Sequence, residues 1–281
     1  MSLLWINGTL TDKAAAHVNP FDHGFLYGDG VWEHLRIFDG NLFRPADHLN
    51  KLFTAAETLS IDIPLSRDEL TAAIVATAKA NNRTDGYIRV IVSRGPGTIG
   101  PDPRKVVPQV IIVTEEYRPF PDELHGHGLH AVIFPVPIDT DHPANGIRTL
   151  GQPHTILAKR HALKHGCLEA ISTNHAGRLV GTTEGFLFLV KDGALVVAGD
   201  QPVDVLGFAV AALAGELGQV VVEYAVKAEN LYAAEEVFIA GTACGVIGIV
   251  RVDGKDIGTG TEGSVTRTIR ERYYAITHGR G

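Results

Sequence analysis

The chain has 281 residues, of which 45% are hydrophobic and 20% charged, a balance typical of a folded protein with one large or two medium-sized domains. Its formal net charge of −7 and its scattered basic residues disfavour a nucleic-acid partner, although a local arginine can still hold a small anion. No apolar run approaches the roughly 20 residues that a membrane helix needs, and two cysteines are too few for a disulfide framework, so we expect a cytoplasmic protein without membrane contact.

The first half of the chain alternates short strands with two amphipathic helices. The segment LLWINGTL turns at Asn7-Gly8, a dipeptide typical of β-hairpins. One helix is predicted after Pro45, and a second is predicted to open at the capping box that Ser66 forms with Glu69. The apolar segments GYIRVIVSRG and QVIIVTEEY are predicted to be buried strands.

A proline- and glycine-rich stretch, YRPFPDELHGHG, breaks all periodicity and predicts a linker at residues 118–127. It would separate an N-terminal α/β domain, residues 1–117, from a C-terminal domain, residues 128–281. The elements predicted after it are a strand in LHAVIFPVPI, a helix over Thr155–His165 ended by Gly166, strands around Gly177 and Lys191–Gly193, a helix from about Phe208, a strand with a glycine-rich turn in VFIAGTACGVIGI and a helix over Ser264–Ile276. This mixture indicates an α+β, or mixed α/β, fold in two domains.

Three ordered blocks of the sequence resemble class IV aminotransferases, the fold-type IV pyridoxal-phosphate enzymes. The blocks are FDHGFLYGDGVWEHLRIFDGNLFRPADHL, LAKRHALKHGCLEAI and LYAAEEVFIAGTACGVIGIVRVDGKDIGTG, and the likeness covers nearly the whole chain. The family includes branched-chain aminotransferases, D-amino-acid aminotransferases and aminodeoxychorismate lyases. The resemblance implies a two-domain fold-type IV architecture, pyridoxal 5′-phosphate as a cofactor, a small-molecule anionic ligand and a homodimer.

The resemblance also implies a phosphate cup, the set of groups that holds the cofactor phosphate. Arg44 matches the family's phosphate-binding arginine, whose planar fork of donors suits phosphate oxygens; the alternative is a solvated arginine near a helix start. Thr242 and Ala243 match a turn that donates hydroxyl and backbone hydrogen bonds to the phosphate or to the substrate carboxylate, with an apolar strand end as the alternative. A helix start, where N–H groups favour an anion, completes the cup with Gly207, Phe208 and Ala209.

Two further positions concern the substrate. Tyr27, in HGFLYGDG, matches a tyrosine on the substrate side, with a core tyrosine as the alternative. His34, in VWEHLR, stands where the family carries a small or aliphatic residue. An imidazole there either lines the substrate pocket, where it would titrate near neutral pH, or points outward.

Arg148, in GIRTLGQPHTILAKRHALKHG, departs most sharply from the family. Counting back from the shared LAK and HGC segments places it at the Schiff-base lysine. Arginine cannot take that role, because its pKa stays above about 12 and it offers no neutral amine. Lys159 and Lys164 lie farther along, on the predicted helix, and are interpreted as solvated residues. We therefore expect any bound pyridoxal phosphate to be held without a covalent link.

A second departure concerns the glutamate that the family places under the cofactor's pyridine nitrogen, where a carboxylate keeps the ring protonated. In VGTTEGFLFLVKDG, an ungapped alignment puts Gly181 at that glutamate and Phe186 at the family's asparagine. An alignment anchored on Glu184-Gly185 instead supplies Glu184, but it requires a deletion inside the strand. The ungapped alignment is the preferred interpretation.

Three functional hypotheses follow. The first is a conventional pyridoxal-phosphate-dependent aminotransferase. The second is a protein that keeps the phosphate cup for lysine-independent chemistry on a small carboxylate or phosphorylated ligand, with Arg148 as a fixed cation and His34, His154 or Glu184 as acid or base. The third is a non-catalytic paralogue that binds a ligand. An intact cup beside altered catalytic positions favours retained ligand binding, and no metal site is predicted.

Overall fold

The structure is a computed structural model that describes residues 2–104, 106–202 and 204–279. The chain divides into two compact units. Unit 1 contains the described residues of Met1–Tyr117 together with Ile147–Gln152, and unit 2 contains those of Arg118–Gly146 and Pro153–Gly281. Both units mix helices with strands, which confirms the predicted α+β class.

The helices and strands of the described residues are as follows. The α-helices are α1 (His23–Tyr27), α2 (Pro45–Thr58), α3 (Arg67–Ala80), α4 (Leu124–His127), α5 (Pro153–Lys164), α6 (Val205–Glu216) and α7 (Ser264–Thr277), with a 3-10 helix at Ala228–Ala233. The strands are β1 (Leu3–Ile6), β2 (Thr9–Asp12), β3 (Gly30–Phe38), β4 (Asn41–Leu42), β5 (Gly86–Ser93), β6 (Gln109–Glu115), β7 (Leu129–Ile133), β8 (Glu169–Thr173), β9 (Leu179–Thr182), β10 (Phe186–Lys191), β11 (Ala194–Ala198), β12 (Val220–Tyr224), β13 (Glu236–Gly241), β14 (Gly245–Val252) and β15 (Lys255–Asp256).

Unit 1 is built on an antiparallel six-stranded sheet in the order β2-β1-β6-β5-β3-β4. Helices α2 and α3 carry apolar residues at helical spacing and bury them in one core with β3, β5 and β6. Strand β3 reads GVWEHLRIF and is buried from Gly30 to Leu35, although Glu33 and His34 lie in that stretch. Two ionisable residues inside a buried strand need partners, and they mark where the unit 1 site lies.

Unit 2 is built on a nine-stranded sheet with the path β12-β11-β10-β13-β14-β7-β8-β9, and β15 pairs with β14. Its core is formed by the buried apolar residues of these strands together with the 3-10 helix. Helix α6 packs on β10, β11 and β13, and α5 packs on β8. Because Phe186 on β10 pairs with Ala240 on β13, the loop before β10 and the turn after β13 lie at the same end of the sheet.

Most predicted elements are confirmed. Asn7 and Gly8 form the β1–β2 turn with φ values of 47° and 97°. Both hydrogen bonds of the Ser66–Glu69 capping box open α3. Helix α5 begins at Pro153, two residues before the predicted start, because proline is well suited to the first helical position.

The unit boundaries differ from those expected. Residues 118–127, predicted as a linker, belong to unit 2 and contain α4. Ile147–Gln152, which the predicted boundary puts in the C-terminal domain, belongs to unit 1. No local pattern signals this, because the segment is held by backbone hydrogen bonds to the distant strand β3. No helix among the described residues has the length and apolarity to cross a membrane.

Candidate ligand-binding site

Segment Ile147–Gln152 lies at the edge of the unit 1 sheet. The Trp32 N–H donates to the Arg148 carbonyl at 2.9 Å, and the Leu150 N–H donates to the Gly30 carbonyl at 3.0 Å. These bonds extend the ladder of β3 and fix the backbone of Arg148 beside the buried part of that strand. The backbone position from which the Arg148 side chain extends is therefore fixed.

The Arg148 guanidinium meets the buried His34 ring. Arg148 Nη1 lies 2.6 Å from His34 Nε2, and His34 Nδ1 lies 3.0 Å from Tyr87 Oη. Arg148 Nη1 also lies 3.3 Å from His34 Nδ1, and because a guanidinium has only donors, it can donate only to a ring nitrogen that carries no proton. Burial and then the charge of Arg148 lower the pKa of His34 well below its ordinary value, although Glu33 opposes them. His34 is therefore a neutral hydrogen-bond acceptor for Arg148.

A second guanidinium joins this network through Tyr87 and Trp32. Arg89 Nη2 donates to Tyr87 Oη at 2.8 Å. The Cζ atoms of Arg89 and Arg148 lie 4.2 Å and 5.0 Å from the Trp32 ring centroid, within cation–π range. The guanidiniums of Arg89 and Arg148 thus contact the same Trp32 ring. Their combined positive charge favours a negatively charged group nearby.

Glu33 supplies a buried carboxylate to the same group. Its Oε1 lies 3.8 Å from Arg148 Nε and 3.5 Å from His48 Nδ1, and its Oε2 lies 3.6 Å from Lys51 Nζ. Burial alone would raise the pKa of Glu33, but Arg148, the His48 ring, Lys51 and His34 together lower it below the ordinary range. The carboxylate is therefore ionised and orients the cations. We call this set the Arg148 cluster: Glu33, His34, His48, Lys51, Tyr87 and Arg148.

Arg44 and Lys51 occupy different environments in α2. Arg44 precedes the helix with φ 45°, and its Nε pairs with Asp47 Oδ2 at 2.8 Å, both side chains being about half exposed. The Lys51 side chain, by contrast, is only 14% exposed and joins the Arg148 cluster. Binding of a phosphate by Arg44 stays a prediction, and Lys51 is a second candidate that the sequence reasoning missed.

The start of α6 in unit 2 is already capped by a carboxylate. Asp204 Oδ1 accepts from the N–H groups of Leu206 and Gly207 at 3.0 Å and 2.9 Å. The Phe208 N–H donates to the Asp204 carbonyl, and the Phe208 side chain is 52% exposed. Binding of an anion by Gly207, Phe208 and Ala209 stays a prediction, and it would require Asp204 to share these donors.

Gly207 is required by close packing. A Cβ added there would lie 2.6 Å from the Phe186 ring, so any side chain would force that ring aside. Phe186 stands where the ungapped alignment has the family's asparagine, and its ring fills the space beside the helix start. The two residues form one packed contact.

The turn after β13 carries a buried hydroxyl without a partner. Thr242 is 5% exposed, and its Oγ1 has no hydrogen-bond partner within the described part of the chain. The following residues, Ala243 and Cys244, are also buried. Burial, reinforced by Glu184, Glu169 and Asp204, raises the pKa of the Cys244 thiol well above its ordinary value. This neighbourhood offers a hydroxyl donor but is acidic.

Glu184 lies in the loop before β10, near Lys159. Lys159 Nζ lies 3.7 Å from Glu184 Oε1 and donates to the Leu168 carbonyl at 2.6 Å. Glu169 anchors the loop by accepting from the Thr183 N–H at 2.9 Å. Burial raises the pKa of Glu169 to about 7, although the Thr183 hydrogen bond and Lys159 oppose it. Lys159 is thus engaged in structural contacts rather than solvated as predicted, whereas Lys164 is exposed.

Tyr27, His154 and Gly181 are the remaining predicted positions. Tyr27 is 48% exposed, and its Oη accepts from the Gly100 N–H at 2.7 Å, which leaves the core-tyrosine alternative wrong. His154 Nε2 lies 3.3 Å from Ser172 Oγ, and burial lowers its pKa. Gly181 has φ 122°, so a glutamate there would strain the backbone.

Within unit 1, the structure therefore brings Arg148 and His34 together, and it places His34 inward rather than outward. The sequence reasoning missed Glu33, Lys51 and Tyr87. Glu33 could have been found, because a glutamate inside the apolar run GVWEHLRIF must be paired if the strand is buried. Among the described residues, no group of three or more His, Cys, Asp or Glu side chains could hold a metal ion.

Comparison with known proteins identifies the family. The profile described as amino-transferase class IV matches residues 30–252. The "Putative branched-chain-amino-acid aminotransferase" of Methanocaldococcus jannaschii is 35% identical over 279 residues, covering 97% of this chain and 96% of that protein. The D-alanine aminotransferase of Staphylococcus haemolyticus is 29% identical over 286 residues, covering 97% of each. The chain belongs to the class IV aminotransferase family.

A solved structure supports the same assignment of fold. The branched-chain amino acid aminotransferase of Escherichia coli matches with a TM-score of 0.92 and 28% identity. The match covers 99% of this chain and 95% of that chain. The predicted fold-type IV architecture is therefore confirmed.

Proposed function

We propose that this protein binds pyridoxal 5′-phosphate without a covalent link and acts on a small carboxylate or phosphorylated ligand by lysine-independent chemistry. One observation carries the proposal: the backbone-fixed position 148 holds a guanidinium, bonded to His34 at 2.6 Å. A guanidinium stays charged and offers no neutral amine to a cofactor aldehyde.

The residues present fit a phosphate-bearing cofactor but not a covalently attached one. In favour of a phosphate, Arg148 and Lys51 outnumber Glu33 in the Arg148 cluster of unit 1. A structurally similar branched-chain amino acid aminotransferase, 25% identical with a TM-score of 0.94, has been solved in complex with N-(5′-phosphopyridoxyl)-L-glutamate. When bound, pyridoxal phosphate supplies an electron sink for negative charge on a substrate carbon.

The chain's own groups have separable roles. Arg148 binds an anionic group of the ligand, with a charged, two-pronged donor set that Lys would not provide. Glu33, 3.8 Å from Arg148 Nε, orients that guanidinium. His34, which contacts both Arg148 and Tyr87, can take up a second proton more readily once the charge of Arg148 is offset. In unit 2, Glu184, whose Oε1 lies 3.7 Å from Lys159 Nζ, is proposed as a further acid or base.

Replacing Arg148 by lysine tests the proposal. We expect Arg148→Lys to gain an absorption band of protein-linked cofactor on adding pyridoxal phosphate, and the parent to show none. Because Glu33 stabilises the charged ammonium, the band should strengthen as the pH rises toward the ordinary lysine pKa of about 10.4. Arg148→Met is the matched control, since it removes the charge without adding an amine. A folded, cofactor-binding Arg148→Lys protein that never shows the band would contradict the assigned position.

Conventional transamination is the second candidate, favoured by the 35% identity along nearly the whole chain. An assay of amino transfer from L-leucine, L-glutamate and D-alanine to 2-oxo acids separates the two. Our proposal expects the parent to be slower than a lysine-containing relative by at least about 10²-fold, the usual loss when a positioned general base is absent. A parent rate comparable with that of the relative would favour the conventional function.

We also propose that the protein works as a homodimer, as the family resemblance implies. Light scattering coupled to gel filtration measures this directly. A molar mass of twice the 30.1 kDa chain supports the dimer, and a mass of one chain contradicts it.

A further inference from the structure

We propose that Arg148 and His34 form a ligand-operated proton acceptor, in which an anion that takes the Arg148 hydrogen bond leaves the His34 ring able to bind a second proton. The proposal rests on the proposed function, because it requires Arg148 to bind the anionic group of the ligand. Its new element is that binding of the anion to Arg148 and protonation of His34 are coupled.

The ligand-free arrangement keeps His34 neutral by contact. Arg148 Nη1 lies 2.6 Å from His34 Nε2 and 3.3 Å from His34 Nδ1, so the guanidinium charge directly faces the ring. Tyr87 Oη lies 3.0 Å from His34 Nδ1 and accepts from Arg89 Nη2. A second proton on the ring would therefore face an N–H group and a positive charge, which are unfavourable in a buried site.

Anion binding reverses each of these conditions. The ligand oxygen accepts the Arg148 N–H bond in place of the ring nitrogen, and its negative charge offsets that of the guanidinium. A proton from water then binds the ring nitrogen that carries none, which converts His34 into an imidazolium. Glu33 Oε1 lies 3.9 Å from His34 Nε2 and stabilises the resulting imidazolium.

The other groups around His34 set the strength of this coupling. Lys51 and the His48 ring on α2 oppose a charge on His34, but Lys51 Nζ is 3.6 Å from the Glu33 carboxylate, which limits its effect. Arg89 on β5 acts through Tyr87 Oη. The charged and titratable groups that face His34 are Glu33 on β3, Tyr87 and Arg89 on β5, His48 and Lys51 on α2, and Arg148 on segment Ile147–Gln152.

The consequence for chemistry is that His34 carries a transferable second proton only when a ligand is bound. His34 is 6% exposed, so solvent reaches the ring poorly in the ligand-free protein. A bound carboxylate or phosphate would find an imidazolium beside Arg148, able to donate a proton within the site. Histidine is suited to this because its ordinary pKa lies near neutral pH, and offsetting the Arg148 charge raises the pKa of His34 toward that value, although burial still opposes the charged form.

Proton uptake on adding sulfate, a dianion that does not itself titrate near neutral pH, tests the proposal. In a pH-stat at about pH 6, the parent should take up protons at saturating sulfate beyond the uptake with chloride at equal ionic strength, and this sulfate-specific uptake should fall as the pH is raised to about 8. His34→Gln, which keeps a hydrogen-bond acceptor but cannot titrate, should bind sulfate without uptake. Arg148→Met should lose the sulfate-specific uptake altogether.

The outcomes separate this inference from the proposed function. No sulfate-specific uptake by the parent, or equal uptake by His34→Gln, overturns the coupling even if the cofactor proves to be non-covalent. Uptake that survives in Arg148→Met also overturns it, because another site would be responsible. Nitrogen chemical shifts of the His34 ring, assigned by their loss in His34→Gln, give a second readout: protonation of both ring nitrogens must appear with sulfate and not with chloride.

Discussion

At the scale of single residues, Arg148 shows how a backbone position can be fixed independently of the side chain that it carries. Its carbonyl accepts a hydrogen bond from the Trp32 N–H, and this bond does not depend on the side chain. The side chain then meets His34, so the two residues form one contact and their roles are best tested together. The sequence could locate each residue but not their 2.6 Å approach, because the pairing of segment Ile147–Gln152 with β3 is a long-range event.

The comparison of Lys51 with Arg44 belongs to this scale. We expect Lys51→Ala to weaken binding of pyridoxal phosphate by about 1–3 kcal/mol, since it removes a mostly buried cation next to Arg148. Arg44→Ala should cost less than about 1 kcal/mol, because its charge is exposed and paired with Asp47. Calorimetry on both variants checks the ranking. A larger loss for Arg44→Ala would support Arg44, as the family resemblance implies, rather than Lys51 as the phosphate-binding cation.

At the scale of elements, α6 shows that the N–H groups at a helix start can already have a hydrogen-bond acceptor. The sequence correctly predicts a helix with glycine in its first turn, and the family resemblance implies free N–H donors there. An aspartate before a helix is an ordinary N-cap, so Asp204 does not stand out in the sequence, yet its carboxylate takes the donors of Leu206 and Gly207. An anion site and a capped helix thus compete for the same groups.

Two glycines of α6 allow a matched test of its packing. Gly207→Ala should destabilise the protein by about 1–3 kcal/mol, since the new Cβ would meet the Phe186 ring at 2.6 Å. Gly215→Ala, with nothing within 4 Å of its Cβ, should stabilise it by about 0.5–1 kcal/mol through better helix propensity. Urea unfolding of both variants measures the difference. Equal effects would mean that α6 does not pack on Phe186 as described.

At the scale of the whole molecule, the sequence predicted the fold better than the site. Strands, helices and the family were readable because hydrophobic periodicity, the capping box and the three ordered blocks extend along the chain. The assignment of Ile147–Gln152 to unit 1 was not readable, since it depends on backbone pairing far from its neighbours in sequence. Buried ionisable residues such as Glu33 and Glu169 were also missed, because their partners come from distant segments.

These buried carboxylates should shape the pH dependence of stability in opposite directions. Glu33, whose pKa is lowered in the folded state, stabilises the protein above its ordinary pKa and loses that effect as the pH falls. Glu169, whose pKa is raised from 4.5 to about 7, stabilises it below pH 4.5 and loses that effect as the pH rises through about 7.

Glu169→Gln isolates the second effect, since the amide can still accept from Thr183 but does not titrate. We expect the parent's unfolding free energy to fall by about 1–3 kcal/mol relative to the variant as the pH rises from about 5 to about 8. Denaturant titrations at a series of pH values measure this. Parallel pH profiles for parent and variant would show that Glu169 is not buried as an uncharged acid.

The central claim is that the chain belongs to the class IV aminotransferase family yet cannot link pyridoxal phosphate through residue 148. Borohydride reduction of the parent with pyridoxal phosphate, followed by intact-mass measurement and peptide mapping, tests it most directly. We predict an unmodified chain under conditions in which a lysine-containing relative is fully labelled. A stoichiometric, site-specific adduct on Lys51, Lys159 or any other lysine would contradict the account.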